Sequence, residues 1–309
     1  MTTETTQRIF SPNAQYLLCT RGYAHKGPNH RECPECGVPH ETNEEVIERV
    51  GMGKEPYMAL LREKKFAPNS PTWFNLPCVS CGQEKVQGTC SACFKFDVQD
   101  TMESIMDVAT KSAFVQKWGG GVGYVLSALR GKGETIKSTQ GKACGPISVM
   151  QHYHSVAEMI TQGGQRAAAQ MAILHCEHPD IREFVHCKDD DSGSLSTFNL
   201  SVAVTDEFMS EADEHPSSDA GLLLDEIVAS AYRKGDPGLY FISTAERGNP
   251  TPWLGALSGT NPCGETPLLD NEACNLGSIN LTNFVLRPGT GDSEFDFARL
   301  CKVTHIAIR

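Results

Sequence analysis

No stretch of this 309-residue chain approaches the ~18 consecutive apolar residues that a membrane-spanning helix needs. The opening residues, Met1 to Arg8, lack the apolar centre of a secretory leader. Both absences predict a cytoplasmic protein with no membrane partner. Basic charge is scarce as well. The 27 Lys and Arg residues against 38 Asp and Glu leave a formal net charge of −11, which excludes the basic face of a dedicated nucleic-acid binder. Nucleotide ligands stay open, because a phosphate needs only a local set of amides and a few cations. There is no internal repeat and no low-complexity tract. The composition, 39% hydrophobic and 21% charged, is that of a globular chain able to bury a core. Its length fits about two domains or one large α/β unit.

Cysteine, by contrast, is plentiful, with 13 residues. Without an export signal these do not read as a disulfide scaffold, but as metal ligands, catalytic thiols or small core residues. Cys33-Pro-Glu-Cys36 and Cys78-Val-Ser-Cys81 are two Cys-x-x-Cys knuckles, and four such thiolates fit a tetrahedral structural zinc site. Cys90, His30 and His40 stand by as substitute ligands. The segment from Tyr23 to His40 is rich in Gly, Pro, His and Cys and reads as a loop or metal knuckle. His152, His154, His175, His178 and His186 show no ligand spacing.

Helical periodicity appears over residues 43–62, after Asp100, over 149–160 and over 222–233. Asp100 is a candidate N-cap with Glu103 three residues on, and Gly119 to Gly121 end that helix. Short apolar runs at 123–126, 171–174, 200–204 and 239–242 alternate with these helices and predict parallel β-α units. Residues 1–62 read as an N-terminal segment carrying the first knuckle, and 63–309 as the main domain.

The richest stretch is Asn261-Pro-Cys263-Gly-Glu265, with Cys274 eleven residues beyond Cys263. An amide, a sulfur and a carboxylate stand at alternate positions, which in an extended segment point the same way. An amide holds a substrate by hydrogen bonds, a carboxylate takes a proton, and a sulfur does nucleophilic or radical work. Pro262 and Gly264 argue for a rigid loop.

Asn-Pro-Cys-Gly-Glu, followed by Ala-Cys-Asn-Leu-Gly-Ser-Ile-Asn, resembles the active-site finger loop of ribonucleotide reductases, most closely the adenosylcobalamin-dependent class II enzymes. Further matching segments follow in family order: Asn69-Ser-Pro-Thr72, Ser91-Ala-Cys93, Gly119-Gly-Gly-Val-Gly123, Gln162-Gly-Gly-Gln-Arg166 and the run from Phe198 to Phe208. The resemblance covers roughly residues 60–309. It implies an α/β fold, the first half of a ten-stranded α/β barrel with a finger loop threading its centre, preceded by a small Cys-rich segment. On this resemblance the family's second half lies outside these residues, and the chain is expected to be a truncated product or one half of a split enzyme completed by a second polypeptide.

The same resemblance implies roles. Cys263 would be the transient thiyl radical inside a dry cavity, Glu265 the general base and Asn261 the ribose-holding amide. Cys93 and Cys274 would be the dithiol that closes to a disulfide; a Cys90–Cys93 pair is the competing redox couple. Thr72, Ser91, Ala92 and Gly121 would face the ribonucleotide substrate. Asp100, Gln165, Arg166 and Lys132 would serve a dNTP or ATP effector, with Lys137 near its phosphates. The implied cofactor is adenosylcobalamin. The implied partners are a thioredoxin-like reductant and a second copy docking through the helix that begins at Asp100. Alternatives are a class I-type large-subunit fragment with a separate radical subunit, or a non-catalytic effector-binding subunit.

Overall fold

The computed structural model describes residues 10–20, 23–26, 30–33, 37–78, 88–161, 168–189 and 193–309. They divide into two units, Met1–Ala92 with Asn275–Arg309, and Cys93–Cys274.

The first unit begins with α1 (Pro12–Thr20), α2 (Asn43–Val50), α3 (Glu55–Arg62), β1 (Phe66–Pro68) and α4 (Ser70–Asn75). Thr42 and Glu45 form a complete capping box at the start of α2, as Thr-x-x-Glu spacing favours. Val46, Ile47 and Val50 on one face of α2 pack with Leu18, Leu61 and Trp73 into a small core. Beside that core lies a buried ion pair. Arg49 meets both carboxylate oxygens of Glu41 at 2.7 and 2.8 Å and donates to the carbonyls of Tyr23 and Trp73. Burial opposes the charge of Glu41, but Arg49 outweighs it and holds the carboxyl below its ordinary value. A lowered folded-state pKa adds stability above the ordinary carboxylate range, lost as pH falls through the lowered value. Arg49→Met leaves a buried carboxylate unpaired and is expected to cost roughly 3–5 kcal/mol, read as a lower denaturant midpoint. Unchanged stability in that variant would contradict this reading.

The second unit contains β2 (Cys93–Asp97), α5 (Met102–Lys117), β3 (Gly121–Val125), α6 (Pro146–Thr161), β4 (Gln170–His175), α7 (Ile181–His186) and β5 (Phe198–Val204). There follow α8 (Asp206–Glu214), α9 (Asp219–Lys234), β6 (Gly238–Phe241), α10 (Ile242–Arg247), β7 (Gly259–Thr260), β8 (Pro267–Leu268) and β9 (Ala273–Cys274). Strands β2 to β6 pair in sequential order and all in parallel, and β9 joins the β2 edge antiparallel. Helices connect each successive parallel pair, giving the first half of an α/β barrel. The anticipated helices and four parallel strands are present, and β2 adds a fifth.

Period-2 alternation divides the sheet's faces. Phe96, Val122, Tyr124, Ala172, Leu174, Leu200 and Val202 join helix residues in the main core. The intervening residues, among them Cys93, Lys95, Gly121, Gly123, Met171 and Ile173, lie on the opposite face, away from that core.

Asp100 does not cap α5. Thr101 does, its hydroxyl accepting from Ser104 N at 3.1 Å, while the Asp100 carboxylate is drawn off by Arg130 at 2.7 Å. The first unit resumes with β10 (Gly277–Ile279), a 3₁₀ turn at Leu281–Phe284, β11 (Val285–Leu286), β12 (Glu294–Phe295) and α11 (Phe297–Ala307). Because β1 pairs antiparallel with β10, residues 66–68 belong with 277–279.

Candidate active site

Strands β7 and β8 make a short hairpin, with Gly259 opposite Leu268 and Thr260 opposite Pro267. Its tip is residues 261–266. Gly264 N donates to Asn261 O at 3.1 Å across Pro262 and Cys263, and Gly264 takes φ +85°, a region open to glycine. The Asn199 side-chain amide donates to Pro262 O at 2.9 Å and ties the tip to β5.

Glycines let the hairpin lie on the sheet. A Cβ on Gly123 would stand 1.9 Å from Thr260 O, and one on Gly121 would stand 2.8 Å from Pro262 Cγ. On the hairpin side, a Cβ on Gly259 would meet Val125 Cγ2 at 2.4 Å. Beneath this stem Lys95 is fully buried, its ammonium shared between Asp97 at 2.6 Å and the hydroxyl of Ser258. Ser258 in turn donates to Asp97 at 3.0 Å. Motif reading overlooked this Lys95–Asp97–Ser258 cluster. The alternation of Cys93, Lys95 and Asp97 on one strand face was the available signal.

The tight turn changes the anticipated common direction of the three tip residues. Asn261 is fully buried, its Oδ1 accepting from Thr266 N at 3.2 Å, while Cys263 and Glu265 are exposed. Asn261 Nδ2 has no hydrogen-bond partner among the described residues, which leaves a donor at the tip for a ligand. The sulfur expected in a dry cavity is thus solvent-facing in this chain.

Cys93 and Cys274 are direct cross-strand partners in the β2–β9 ladder, and both are buried. They lie 181 residues apart in sequence and meet only through the fold. Burial, with the Cys93 thiol and Glu265 adding to it, pushes the Cys274 thiol up to about 12. Cys274 therefore stays protonated near neutral pH, and the influence of Glu265 brings that carboxylate into electrostatic reach of the pair. On β3, Gly121 neighbours Cys93 in register and packs under Pro262. A dithiol, a carboxylate, an unpaired amide and an exposed sulfur thus share one sheet face. Limited alkylation at neutral pH should modify Cys263 and leave Cys274 intact, as checked by peptide mass mapping. Modification of Cys274 ahead of Cys263 would contradict this arrangement.

Other anticipated residues fall as follows. In the first unit, the Thr72 hydroxyl and amide both bond Asn69 Oδ1, the N-cap of α4, at 3.0 and 3.1 Å. Ser91 N is held by Thr89 Oγ1 at 2.9 Å, and Ala92 is buried. In the second unit Asp100 and Arg130 line a cleft of about 430 Å³ beside Thr101 and Ser138. Lys132 points to Glu183 at 2.8 Å instead of lining that cleft. Gln165 and Arg166 lie outside the described residues, as do Cys36 and Cys81 of the two knuckles. Cys33 and Cys78, expected in one zinc site, fall in two different clusters: Cys33 with Cys19 and His40, and Cys78 with His25 and Glu41.

No helix among the described residues is long and apolar enough to cross a membrane. The family model for the ribonucleotide reductase barrel domain matches residues 91–220 and 214–309. The chain is 39% identical over 269 residues to a vitamin B12-dependent ribonucleoside-diphosphate reductase of Mycobacterium tuberculosis, covering 82% of this chain and 37% of the relative. A protein of the same description from Thermoplasma acidophilum is 40% identical over 258 residues, covering 79% and 32%. The chain thus spans between 32% and 37% of the length of these relatives. Among solved structures, the Actinobacillus ureae class Id ribonucleotide reductase alpha subunit superimposes with a TM-score of 0.71 at 20% identity, over 90% of this chain and 50% of that one.

Proposed function

The chain belongs to the ribonucleotide reductase family through its barrel domain, and from that premise we propose that it carries the radical and redox thiols for reducing ribonucleotides to 2′-deoxyribonucleotides. The observation that supports this most strongly is the Cys93–Cys274 pair lying beneath the hairpin that bears Cys263. The difficulty of the reaction is the 2′-hydroxyl, a poor leaving group on an unactivated carbon. A radical at C3′ makes it leave easily, and a sulfur radical has the right bond strength to form one reversibly. In this reading Cys263 takes the C3′ hydrogen atom and Glu265 takes the 3′-hydroxyl proton as general base. Asn261 holds the ribose through its unpartnered Nδ2.

Cys93 gives the proton with which the 2′-hydroxyl departs as water. Two electrons come from Cys93 and Cys274 as their thiols close to a disulfide, and Cys263 returns its hydrogen atom to C3′. Atoms balance: ribonucleotide plus dithiol gives deoxyribonucleotide, disulfide and water. A high Cys274 pKa suits this scheme, because it keeps that thiol protonated until it is oxidised.

The names of the Mycobacterium and Thermoplasma relatives point to a cobalamin as the radical source. The residues present fit such a group in that Cys263 is exposed at the tip, which leaves its side chain accessible. Adenosylcobalamin, when bound, supplies the hydrogen-abstracting radical to this sulfur. The exposed tip also suits completion of the barrel by a second polypeptide that would exclude water from Cys263. The Asp100–Arg130 cleft fits a dNTP or ATP effector, and exposed Met102, Met106 and Phe114 on α5 suit docking of a second copy. A thioredoxin-like dithiol would re-reduce the pair, in the cytoplasm.

The test is to combine this chain with the remainder of the barrel, adenosylcobalamin, a dithiol and a ribonucleoside di- or triphosphate. Deoxyribonucleotide formation that requires this chain is the expected result. A complete mixture that binds nucleotide yet forms no product would overturn the proposal in favour of an effector-binding role.

A further inference from the structure

Outside the radical site, the N-terminal unit gathers two sulfurs and an imidazole. Cys19 sits near the end of α1, while Cys33 and His40 flank a tight turn. Gly37 N donates to Cys33 O at 2.8 Å, Cys33 N donates to Val38 O at 3.2 Å, and Glu32 bridges Pro39, so the chain doubles back and returns His40 to Cys33. Gly37 takes φ +69°, as such a reversal requires.

The Cys19 and Cys33 sulfurs are 3.8 Å apart, His40 Nε2 is 3.2 Å from the Cys19 sulfur, and all three ligand atoms lie within 4.8 Å of one another. All three residues are more than nine-tenths buried. For a tetrahedral zinc with Zn–S of about 2.3 Å, two thiolates stand about 3.8 Å apart. His40 Nδ1 lies 2.7 Å from Glu41 O. Donation of Nδ1–H to that carbonyl fixes the tautomer that presents the Nε2 lone pair to the sulfurs, the usual arrangement behind a metal-bound histidine. Glu41 cannot move from this position easily, because Arg49 grips its carboxylate.

The neighbouring His25–Glu41–Cys78 cluster is a poorer candidate. Its carboxylate is committed to Arg49 through both oxygens, which leaves only His25 Nδ1 and the Cys78 sulfur as the remaining donors of that group.

We propose that Cys19, Cys33 and His40 bind a structural zinc ion that fastens α1 to the paired segments holding Cys33 and His40, with a fourth donor from outside these three. Two thiolates and an imidazole suit zinc over the hard, oxygen-seeking cations. Closure of the site would add metal-binding energy to a unit whose own apolar core is small.

Metal analysis of the purified full-length chain tests this. About one zinc per chain is expected, lost from Cys19→Ser, Cys33→Ser and His40→Ala, and kept in Cys78→Ser and in the exposed-cysteine control Cys144→Ser. Zinc lost from Cys78→Ser but kept in Cys19→Ser would overturn the ligand set. Should the variants fail to fold, cobalt exchanged into the native chain supplies the second readout. Thiolate-to-cobalt charge transfer with tetrahedral ligand-field bands supports the site, and a native chain that takes up neither zinc nor cobalt refutes it. None of these readouts depends on turnover, so the outcome is separate from that of the radical chemistry.

Discussion

Cys263→Ser is expected to lower deoxyribonucleotide formation by more than about a thousandfold while leaving the fold unchanged. Serine preserves the size and hydrogen bonding of the side chain, but its O–H bond is too strong to give up and recover a hydrogen atom in each cycle. The residue is exposed, so the substitution should alter stability by no more than about 0.5 kcal/mol. Nucleotide binding should also survive, because Asn261 and the Asp100–Arg130 cleft are untouched. The measurement is turnover of the reconstituted enzyme beside equilibrium unfolding of the same variant. Native turnover in a correctly folded Cys263→Ser protein would remove the sulfur from the chemistry.

Gly123→Ala should act on stability and on the site together. The added Cβ would stand 1.9 Å from Thr260 O, a backbone atom that cannot rotate away. Either β3 or the stem of the hairpin must shift, and overpacking of this kind costs on the order of 1–3 kcal/mol or more. Displacing the stem would also disturb the Ser258 hydroxyl, on which the Lys95 ammonium and the Asp97 carboxylate depend. Gly238→Ala is the matched control, because its Cβ makes ordinary contacts, with Ser201 Oγ at 3.5 Å and Leu200 O at 3.9 Å. The expected pattern is a large drop in denaturant midpoint for Gly123→Ala and little change for Gly238→Ala. Equal effects would show that close approach of the hairpin to β3 is not what these glycines serve.

Much of the barrel half was legible because its strands are buried on both faces and read as apolar runs. β4, for example, is buried along nearly its whole length. β2 was not legible, since Lys95 interrupts it with a charge that only the Asp97 and Ser258 partners make tolerable inside. Two-residue strands such as β7, β8 and β9 carry no periodicity at all. Their pairing brings Cys274 to Cys93, and motif resemblance rather than pattern pointed to that couple. The N-cap of α5 slipped by one residue because Arg130, thirty positions away, claims Asp100. Cys19 escaped notice for a similar reason. A single cysteine in a helix has no local spacing to mark it, and only the fold brings Cys33 and His40 beside it.

The most direct measurement is a single turnover without external reductant, followed by mass mapping of the cysteines. One Cys93–Cys274 disulfide per deoxyribonucleotide formed is the predicted result. Product released with both of those thiols still reduced, or oxidation appearing instead between Cys90 and Cys93, would contradict the account.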